Sequence, residues 1–302
     1  MAIIECVPNF SEGRRRAVVD SIAGAVRATA GVRLLDVQAD PDHNRSVLTF
    51  VGEQDAVLKA ALAAVRTAAD LIDMEQHQGS HPRIGATDVV PFVPAAGADL
   101  AQCVAMARQL GSQIAAQLGI PVYLYGAAAT SPERAVLANL RRGQYEGLKS
   151  EISLPERRPD FGPARMHPTA GATVVGAWLP MVAYNVYLQG ADLRLARSIA
   201  RRMRERDGGL PGVQALGVQV ESGEVQVSMN LLDTTRTSIW RAFSEVARLA
   251  AEAGAVAVRS EIVGLVTSAA VAGALAEAIA CPALTPALVL ESHLLNQEHP
   301  GR

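Results

Sequence analysis

Strand-like and helix-like stretches follow one another in an order that the sequence uses twice. The first half begins with the β-rich run AIIECVPN. Apolar residues at helical spacing follow up to residue 31, and after them come two strand-like runs, VRLLDVQ and NRSVLTFVGE. A long amphipathic helix and the strand ATDVVPFVP follow, and the second half repeats the order from MVAYNVYLQ to EIVGLV. The order β-α-β-β-α-β is typical of ferredoxin-like α+β folds, so we predict two ferredoxin-like α/β sandwich subdomains.

A stretch rich in proline and glycine, residues 155–176, separates these two halves. Its sequence, PERRPDFGPARMHPTAGATVVG, holds these residues at a density that interrupts regular structure. We therefore predict subdomains at residues 1–176 and 177–302. Long loops in compact domains are often binding loops, and a cleft between subdomains is a common ligand site.

Charge and cysteine content restrict the possible partners. The chain has 28 basic and 30 acidic side chains, a net charge of -2 that gives no general attraction for nucleic acid or an anionic membrane. Cys6, Cys103 and Cys281 are widely spaced, as is typical of reduced thiols rather than a disulfide framework or a metal-cysteine site. No apolar run reaches the roughly 18 residues of a membrane span. We expect a cytoplasmic protein with small-molecule partners.

Two histidines four residues apart open the stretch HQGSHPRIGATDVVPFVP, residues 77–94. On a helix, His77 and His81 would be placed to share a zinc ion. Gly79 lies between them, and Pro82 favours extended backbone at His81. The sequence therefore predicts a loop and no metal site here.

The residue types of this loop and of ADPDHNRSV, residues 39–47, fit two interpretations each. A neutral imidazole at His81 is suited to general base catalysis, or it is a loop histidine bonded to a carbonyl. Arg83 and Asp88 are either substrate contacts or surface charges. Residues 39–47 are typical of a turn rich in Asp and Asn. Paired arginines, including 141–142 and 157–158, are usually solvated.

Other catalytic patterns are absent from the sequence. It has no GxGxxG or GxxxxGK[ST] pattern for nucleotide phosphates and no GxSxG nucleophile elbow. Nucleotide binding and covalent serine catalysis therefore have no support.

Seven short motifs occur in one order, and the resemblance that they carry runs from residue 5 to about 266: ECVPNFSEG, DPDHNRSV, GSHPRIGATDVVPFVP, RRGQYEGL, PDFGP, GATVVGA and QVSMNLLD. Together they resemble the formiminotransferase (glutamate formimidoyltransferase) family. The deaminase half of the bifunctional animal proteins has no counterpart in this sequence.

The resemblance implies an activity and its partners. The activity is transfer of the formimino group from N-formimino-L-glutamate to tetrahydrofolate, giving L-glutamate and 5-formimino-tetrahydrofolate in histidine degradation. Tetrahydrofolate is then a co-substrate, and no metal is required. The resemblance also implies a substrate tunnel between the two subdomains and a homodimer.

The same resemblance assigns roles to individual residues. It places the catalytic histidine at His81, with His77 as the reserve candidate. It places the folate-contacting stretch at residues 162–171. Within that stretch the best matches are Gly162, Pro163, Pro168 and Gly171. The substrate-binding candidates are Arg83, Arg45 and Asp40.

Two departures from the family pattern leave alternatives open. Trp178 stands where the family commonly has a basic residue, and Tyr187 replaces a usual asparagine. If that basic residue binds a substrate carboxylate, we expect a changed donor, such as formylglutamate, or a folate-binding protein of the same fold with altered catalysis. A third alternative is a metal-dependent hydrolase that uses His77, His81 and Asp88.

Overall fold

The computed structural model describes residues 2–79, 81–220, 223–290 and 292. The chain divides into two compact units, Met1–Leu179 and Pro180–Arg302, each with its own sheet and hydrophobic core. This mixed α/β architecture with two sheets agrees with the predicted α+β class. In the part of the chain that the structure describes, no helix is long and apolar enough to cross a membrane.

In its described residues, the first unit contains a seven-stranded sheet and six α-helices. Its strands are β1 (Ile4–Cys6), β2 (Asn9–Phe10), β3 (Val32–Asp40), β4 (Arg45–Gly52), β5 (Thr87–Pro94), β6 (Val122–Gly126) and β7 (Thr173–Ala177). Its helices are α1 (Arg16–Arg27), α2 (Gln54–Leu71), α3 (Leu100–Leu118), α4 (Pro132–Ala135), α5 (Leu137–Leu140) and α6 (Gln144–Glu151).

The sheet of the first unit is antiparallel at one end and parallel at the other. Strands β1 and β2 both pair with β4 and β5, so together they form one interrupted central strand. Strand β3 pairs with β4 on one side, and on the other side β7 lies parallel to both β5 and β6. The order is therefore β3-β4-β1/β2-β5-β7-β6, with the β3–β4 turn and the start of β5 near the same central strand.

Two apolar layers cover the faces of this sheet. Helices α1, α2 and α3 supply residues to the larger core, and α5 and α6 supply residues to a smaller one. Along β6 the side chains alternate between them, since Val122 and Leu124 belong to the larger core and Tyr123 and Tyr125 to the smaller. Helix α3 begins at a capping box between Asp99 and Gln102.

The second unit has four antiparallel strands in the order β11-β8-β10-β9. Alternate residues of β8 and β10 face one core with α7 and α8. The elements are β8 (Val182–Gln189), α7 (Leu193–Met203), β9 (Val213–Gln219), β10 (Val225–Leu231), α8 (Ile239–Glu252), β11 (Val256–Val263) and α9 (Ser268–Ala278).

The proline- and glycine-rich stretch differs in part from its prediction. Residues Thr173–Ala177 form β7, whose five residues are all buried between β5 and β6 in the first unit. A short apolar run is typical of a buried parallel strand, but the neighbouring glycines concealed it. The first unit extends to Leu179, three residues past our predicted subdomain boundary at residue 176.

Candidate functional site

The loop with the two histidines lies against the β3–β4 turn. The described residues from His77 to Arg83 are not helical, which confirms the predicted loop. Gly79 makes this approach possible, because a Cβ atom there would lie 2.5 Å from the backbone oxygen of His43. The loop therefore brings His81 close to residues that precede it by almost forty positions.

Asn44 holds this arrangement together. It lies in a turn at residues 41–44, inside the stretch 39–47 where we predicted a turn, and the ends of that stretch belong to β3 and β4. Its φ of 48° is in the left-handed region, which asparagine tolerates better than most residues. Its Oδ1 accepts a hydrogen bond from the Gly13 N–H (3.0 Å), and its Nδ2 donates to the Gln78 carbonyl (2.9 Å). Asn44 thus joins the turn to both neighbouring loops.

A small pocket in the first unit contains His81 and several of the predicted residues. Its wall combines the central strand, the β3–β4 turn and the start of β5. The rings of His81 and His43 lie 6.5 Å apart between centroids. The residues that line the pocket are Asn9, Phe10, Ser11, His43, Asn44, Arg45, His77, His81, Arg83 and Asp88.

The surroundings of His81 keep its ring neutral. Burial, followed by the positive charges of Arg45 and Arg141, lowers the pKa of His81 to about 3. A ring that is neutral at physiological pH is able to accept a proton, as a general base must. The general base interpretation of His81 is therefore compatible with the site.

A buried ion pair supports the floor of the pocket. Asp88 is 2% exposed, accepts a hydrogen bond from the Ile84 N–H (2.8 Å) and pairs with the guanidinium of Arg141. Burial raises the pKa of the Asp88 carboxyl, and the Arg141 cation opposes that effect. Asp88 thus fixes both the backbone beside His81 and the position of Arg141.

Two arginines of the site, Arg45 and Arg141, each keep a guanidinium N–H without a partner in the described part of the chain. Arg45 donates to the Asn9 side chain, while the buried Nε atoms of both Arg45 and Arg141 have no hydrogen-bond partner among the described residues. The Asp88 and Asp40 carboxylates both act on Arg45, so two carboxylates balance the two guanidinium groups in charge. The two N–H donors without a partner are suited to an anionic ligand.

Arg83 is engaged by the protein itself. Arg83 is 7% exposed, and its guanidinium makes a forked pair with the Glu146 carboxylate (2.7 and 2.9 Å) and donates to Gln144 (3.0 Å). Its Nε donates to Nδ1 of His77 (3.2 Å). The fork that we predicted for a substrate carboxylate is therefore occupied by Glu146, which makes Arg45 the better candidate.

The hydrogen bonds of His77 determine which of its ring nitrogens carries the proton. Nδ1 accepts from Arg83, and Nε2 faces the Asn44 carbonyl (3.1 Å), which can only accept. His77 is therefore a neutral ring with its proton on Nε2. Burial is the main cause that lowers the pKa of His77, and the Arg83 cation acts in the same direction. Neither nitrogen of His77 is free to take a proton from a substrate.

We expect His77→Ala to change stability more than turnover. Loss of two hydrogen bonds lowers the free energy of unfolding by about 1 kcal/mol or more, while kcat stays within about threefold of wild type. Urea unfolding and steady-state assays measure the two effects. A hundredfold loss of kcat in a variant that remains folded would return His77 to the list of catalytic groups.

Stability is expected to fall with acid because of His81. The folded state lowers the pKa of His81 from 6.5 to about 3, so between these values the unfolded chain binds more protons. The free energy of unfolding therefore decreases as the pH drops from about 6.5 to about 3, and is fully retained above 6.5. His81→Ala removes this contribution, so urea unfolding at several pH values should show a shallower decrease. An equally steep decrease would contradict the assigned burial.

The predicted folate-contacting stretch does not line the His81 pocket, but one end of it contacts the same loop. Gly171 has a φ of 73°, and a Cβ there would lie 2.6 Å from the Ile84 carbonyl oxygen. Gly162 and Pro168 are exposed, and Pro163 is half-buried. A turn closed by two backbone hydrogen bonds between His167 and Gly171 presents Pro168 to solvent.

The two departures from the family pattern have protein partners. Trp178 is half-buried beside Tyr125, with ring centroids 5.8 Å apart, and its side chain hydrogen-bonds the Tyr125 hydroxyl. In the second unit, the Tyr187 hydroxyl donates to Glu261 (2.9 Å), and the Arg259 guanidinium lies 3.3 Å from its ring centroid. Both aromatic rings are held in place.

Two residues of the site, Arg141 and Asn9, were not predicted from the sequence. Arg141 belongs to an arginine pair that we predicted to be solvated, yet its side chain is 15% exposed and bound to Asp88. Arg157, from another such pair, is buried as well. Asn9 contacts Arg45 from a two-residue strand. The available signal for Arg141 was its place as the first residue of the motif RRGQYEGL.

Within the described residues, no three His, Cys, Asp or Glu side chains converge in the manner of metal ligands. This applies also to His77, His81 and Asp88, the set considered for a hydrolase. Both ring nitrogens of His77 already have protein partners.

Comparisons with known proteins cover most of the chain. Residues 3–178 match the model of the formiminotransferase domain, N-terminal subdomain, and residues 183–277 match that of the formiminotransferase domain. The chain is 46% identical over 269 residues to a glutamate formimidoyltransferase of Thermoplasma acidophilum, covering 88% of each. It is 42% identical over 264 residues to the Streptococcus pyogenes serotype M1 enzyme of that name (87% of this chain, 88% of that one). A Mus musculus formimidoyltransferase-cyclodeaminase is 44% identical, and the match covers 87% of this chain and 50% of the mouse protein.

Proposed function

Because the chain belongs to the formiminotransferase family, we propose that it is a glutamate formimidoyltransferase. The reaction transfers the formimino group from N-formimino-L-glutamate to N5 of tetrahydrofolate and releases L-glutamate, a step of histidine degradation. The observation that carries this proposal is a neutral imidazole, His81, in a pocket that it shares with the Arg45 guanidinium.

The transfer needs a group that accepts a proton. Attack of the N5 amine on the formimino carbon produces a tetrahedral adduct in which N5 carries one proton too many. His81 takes this proton while its ring lies within about 3 Å of N5. The bond between the carbon and the glutamate nitrogen then breaks, and the glutamate nitrogen gains a proton. The protons balance, because the one lost by N5 is replaced by one on glutamate.

Substrate binding makes His81 a stronger base. Both substrates carry glutamate carboxylates, and Arg45 offers a buried guanidinium N–H without a protein partner in the described chain. A carboxylate bound at Arg45 offsets part of the positive charge that lowers the pKa of His81. The base therefore becomes effective once the pocket is occupied. Asp40 shapes the same pocket through His43.

We expect Arg45→Gln to weaken donor binding. Loss of a charge-assisted contact raises the KM for formiminoglutamate by about 10-fold to 100-fold, with a smaller change in kcat. Arg45→Lys keeps the charge without the fork and should give an intermediate KM. Arg33→Gln, at an exposed position on β3, is the matched control. An unchanged donor KM in Arg45→Gln would exclude Arg45 from carboxylate binding.

Several finer features belong to the same proposal. We infer that both units are ferredoxin-like subdomains, supported by the strand orders β3-β4-β1-β5 and β9-β10-β8-β11. The folate-contacting role of Gly162, Pro163, Pro168 and Gly171 also remains a proposal. Also proposed are the subdomain bounds 1–176 and 177–302, the tunnel, the homodimer, the cytoplasmic location and the absence of a metal requirement. Elemental analysis of purified protein tests the last of these.

Glutamate release tests the proposed function and its donor. Purified protein is incubated with formiminoglutamate, with and without tetrahydrofolate, and glutamate is measured. We expect release that depends on the folate. A parallel assay with formylglutamate tests whether Trp178 accompanies a changed donor. Folate binding without release from either donor would support the altered folate-binding protein instead.

A further inference from the structure

A second histidine faces the pocket of His81 and is held by a carboxylate. Nδ1 of His43 lies 2.6 Å from one oxygen of Asp40. The other oxygen of Asp40 accepts hydrogen bonds from the backbone N–H groups of Asp42 (2.9 Å) and His43 (3.0 Å). Asp40 therefore fixes both the backbone and the ring of His43 at the end of β3.

The contacts of Asp40 determine which nitrogen of His43 carries the proton. Burial of Asp40 is outweighed by the hydrogen bonds from His43 and Asp42, so the pKa of the Asp40 carboxyl is lowered and the group is ionised. An ionised carboxylate can only accept hydrogen bonds. Nδ1 of His43 is therefore the donor to Asp40, and Nε2 is left for a ligand.

The two histidines have opposite surroundings. His81 is more buried and lies near two guanidinium groups, which disfavour a positive ring. The side chain of His43 is 54% exposed, and its Nδ1 is bound to the Asp40 carboxylate, which orients the ring as in the catalytic triads. Neighbouring groups with divergent environments commonly divide the roles of acid and base.

The reaction offers a role for each of them. N5 of tetrahydrofolate must lose a proton, and the glutamate nitrogen must gain one before it leaves. Both nitrogens are bonded to the same tetrahedral carbon. With ring centroids 6.5 Å apart and planes inclined by 76°, the two rings can contact the two nitrogens from different sides.

We propose that His43, oriented by Asp40, is the general acid that protonates the departing glutamate nitrogen while His81 accepts the proton of N5. The proposal rests on the proposed function. Protonated His43 gives its Nε2 proton to the glutamate nitrogen as the carbon–nitrogen bond breaks. The formimino carbon stays bonded to N5, and solvent afterwards returns a proton to His43 and removes one from His81.

The first test removes the ring and supplies a substitute. His43→Ala should lower kcat by about 10-fold to 1000-fold, with little change in the KM of either substrate. Because the side chain is half exposed, imidazole added to the buffer should enter the vacated space and restore part of the activity. Rescue by an acid requires imidazolium, so it should increase as the pH falls.

The controls separate this role from the activity itself. Wild-type protein is assayed in parallel, so absence of glutamate release from it refutes the proposed function rather than the role of His43. Arg33→Gln changes an exposed residue of β3 that does not line the pocket and should keep wild-type kcat. A kcat for His43→Ala within about threefold of wild type, or rescue that increases with pH, would overturn the proposal.

A second variant conserves the shape of the site. Asp40→Asn keeps the side-chain volume but removes the charge that Nδ1 of His43 faces. Other charged or titratable groups near this ring include His81, Arg45, Asp42 and Arg14, which donates to the Pro41 carbonyl. We expect kcat to fall by about tenfold or more in this variant, while the KM of each substrate stays within about threefold of wild type. An unchanged kcat would contradict the role of Asp40 and His43.

Discussion

His81→Ala should lower kcat by about 10² to 10⁴, the range expected for one acid–base group, while the affinity for tetrahydrofolate changes little. The physical reason is the position of the ring. It lies in the pocket between the β3–β4 turn and the start of β5, and its neutral state makes it a proton acceptor. Steady-state kinetics and equilibrium binding of the folate measure the two quantities separately.

Two other results for His81→Ala would change the role assigned to His81. Near-normal turnover in His81→Ala would assign proton acceptance to His43 or to a water molecule. Loss of folate binding in a variant that keeps its fold would make His81 a binding residue. His77→Ala is the matched control, because His77 is in the same loop but has both ring nitrogens engaged.

Asp88→Ala should have the largest effect on stability. The carboxylate is buried, and its removal leaves Arg141 without a counter-charge and the Ile84 N–H without its acceptor. Breaking a buried pair in this way costs about 3–5 kcal/mol, a large part of the usual stability of a folded domain. Urea unfolding followed by circular dichroism measures the loss.

Two further variants test the cause of that loss. Asp88→Asn keeps an oxygen for the Ile84 N–H but not the charge, so it should cost less than Asp88→Ala. Combining Asp88→Ala with Arg141→Met removes both partners and should recover part of the lost free energy. A loss below about 1 kcal/mol in Asp88→Ala, or strict additivity in the double variant, would contradict a coupled buried pair.

Local chemistry made much of the fold predictable from sequence. Helix α1 was predicted from apolar spacing, and its buried residues Val19, Ile22, Ala23 and Val26 have that spacing. The loop at His81 was predicted from Gly79 and Pro82, which disfavour a helix whatever surrounds them. Strand β7 was missed, because its Val-rich run takes its burial from β5 and β6 rather than from its own pattern.

The partners within the site depend on pairing between distant segments. Arg141 and Asp88 are 53 residues apart in the chain, and Arg45 and Asn9 are 36 apart. No local pattern specifies such contacts, since they follow from strand register and from helix placement. The occupation of Arg83 by Glu146, 63 residues away, has the same origin. Residue type alone therefore could not identify the carboxylate that Arg83 binds.

The most direct measurement follows the transferred group itself. Formiminoglutamate labelled with ¹³C and ¹⁵N in the formimino group is mixed with tetrahydrofolate and the protein, and the reaction is followed by NMR. Both labels should move together to the folate, their carbon–nitrogen coupling retained, as unlabelled glutamate appears at the same rate. The His81→Ala variant should slow both signals equally. Appearance of the labels in formamide or formate, or transfer of the carbon without its nitrogen, would contradict formimino transfer by this chain.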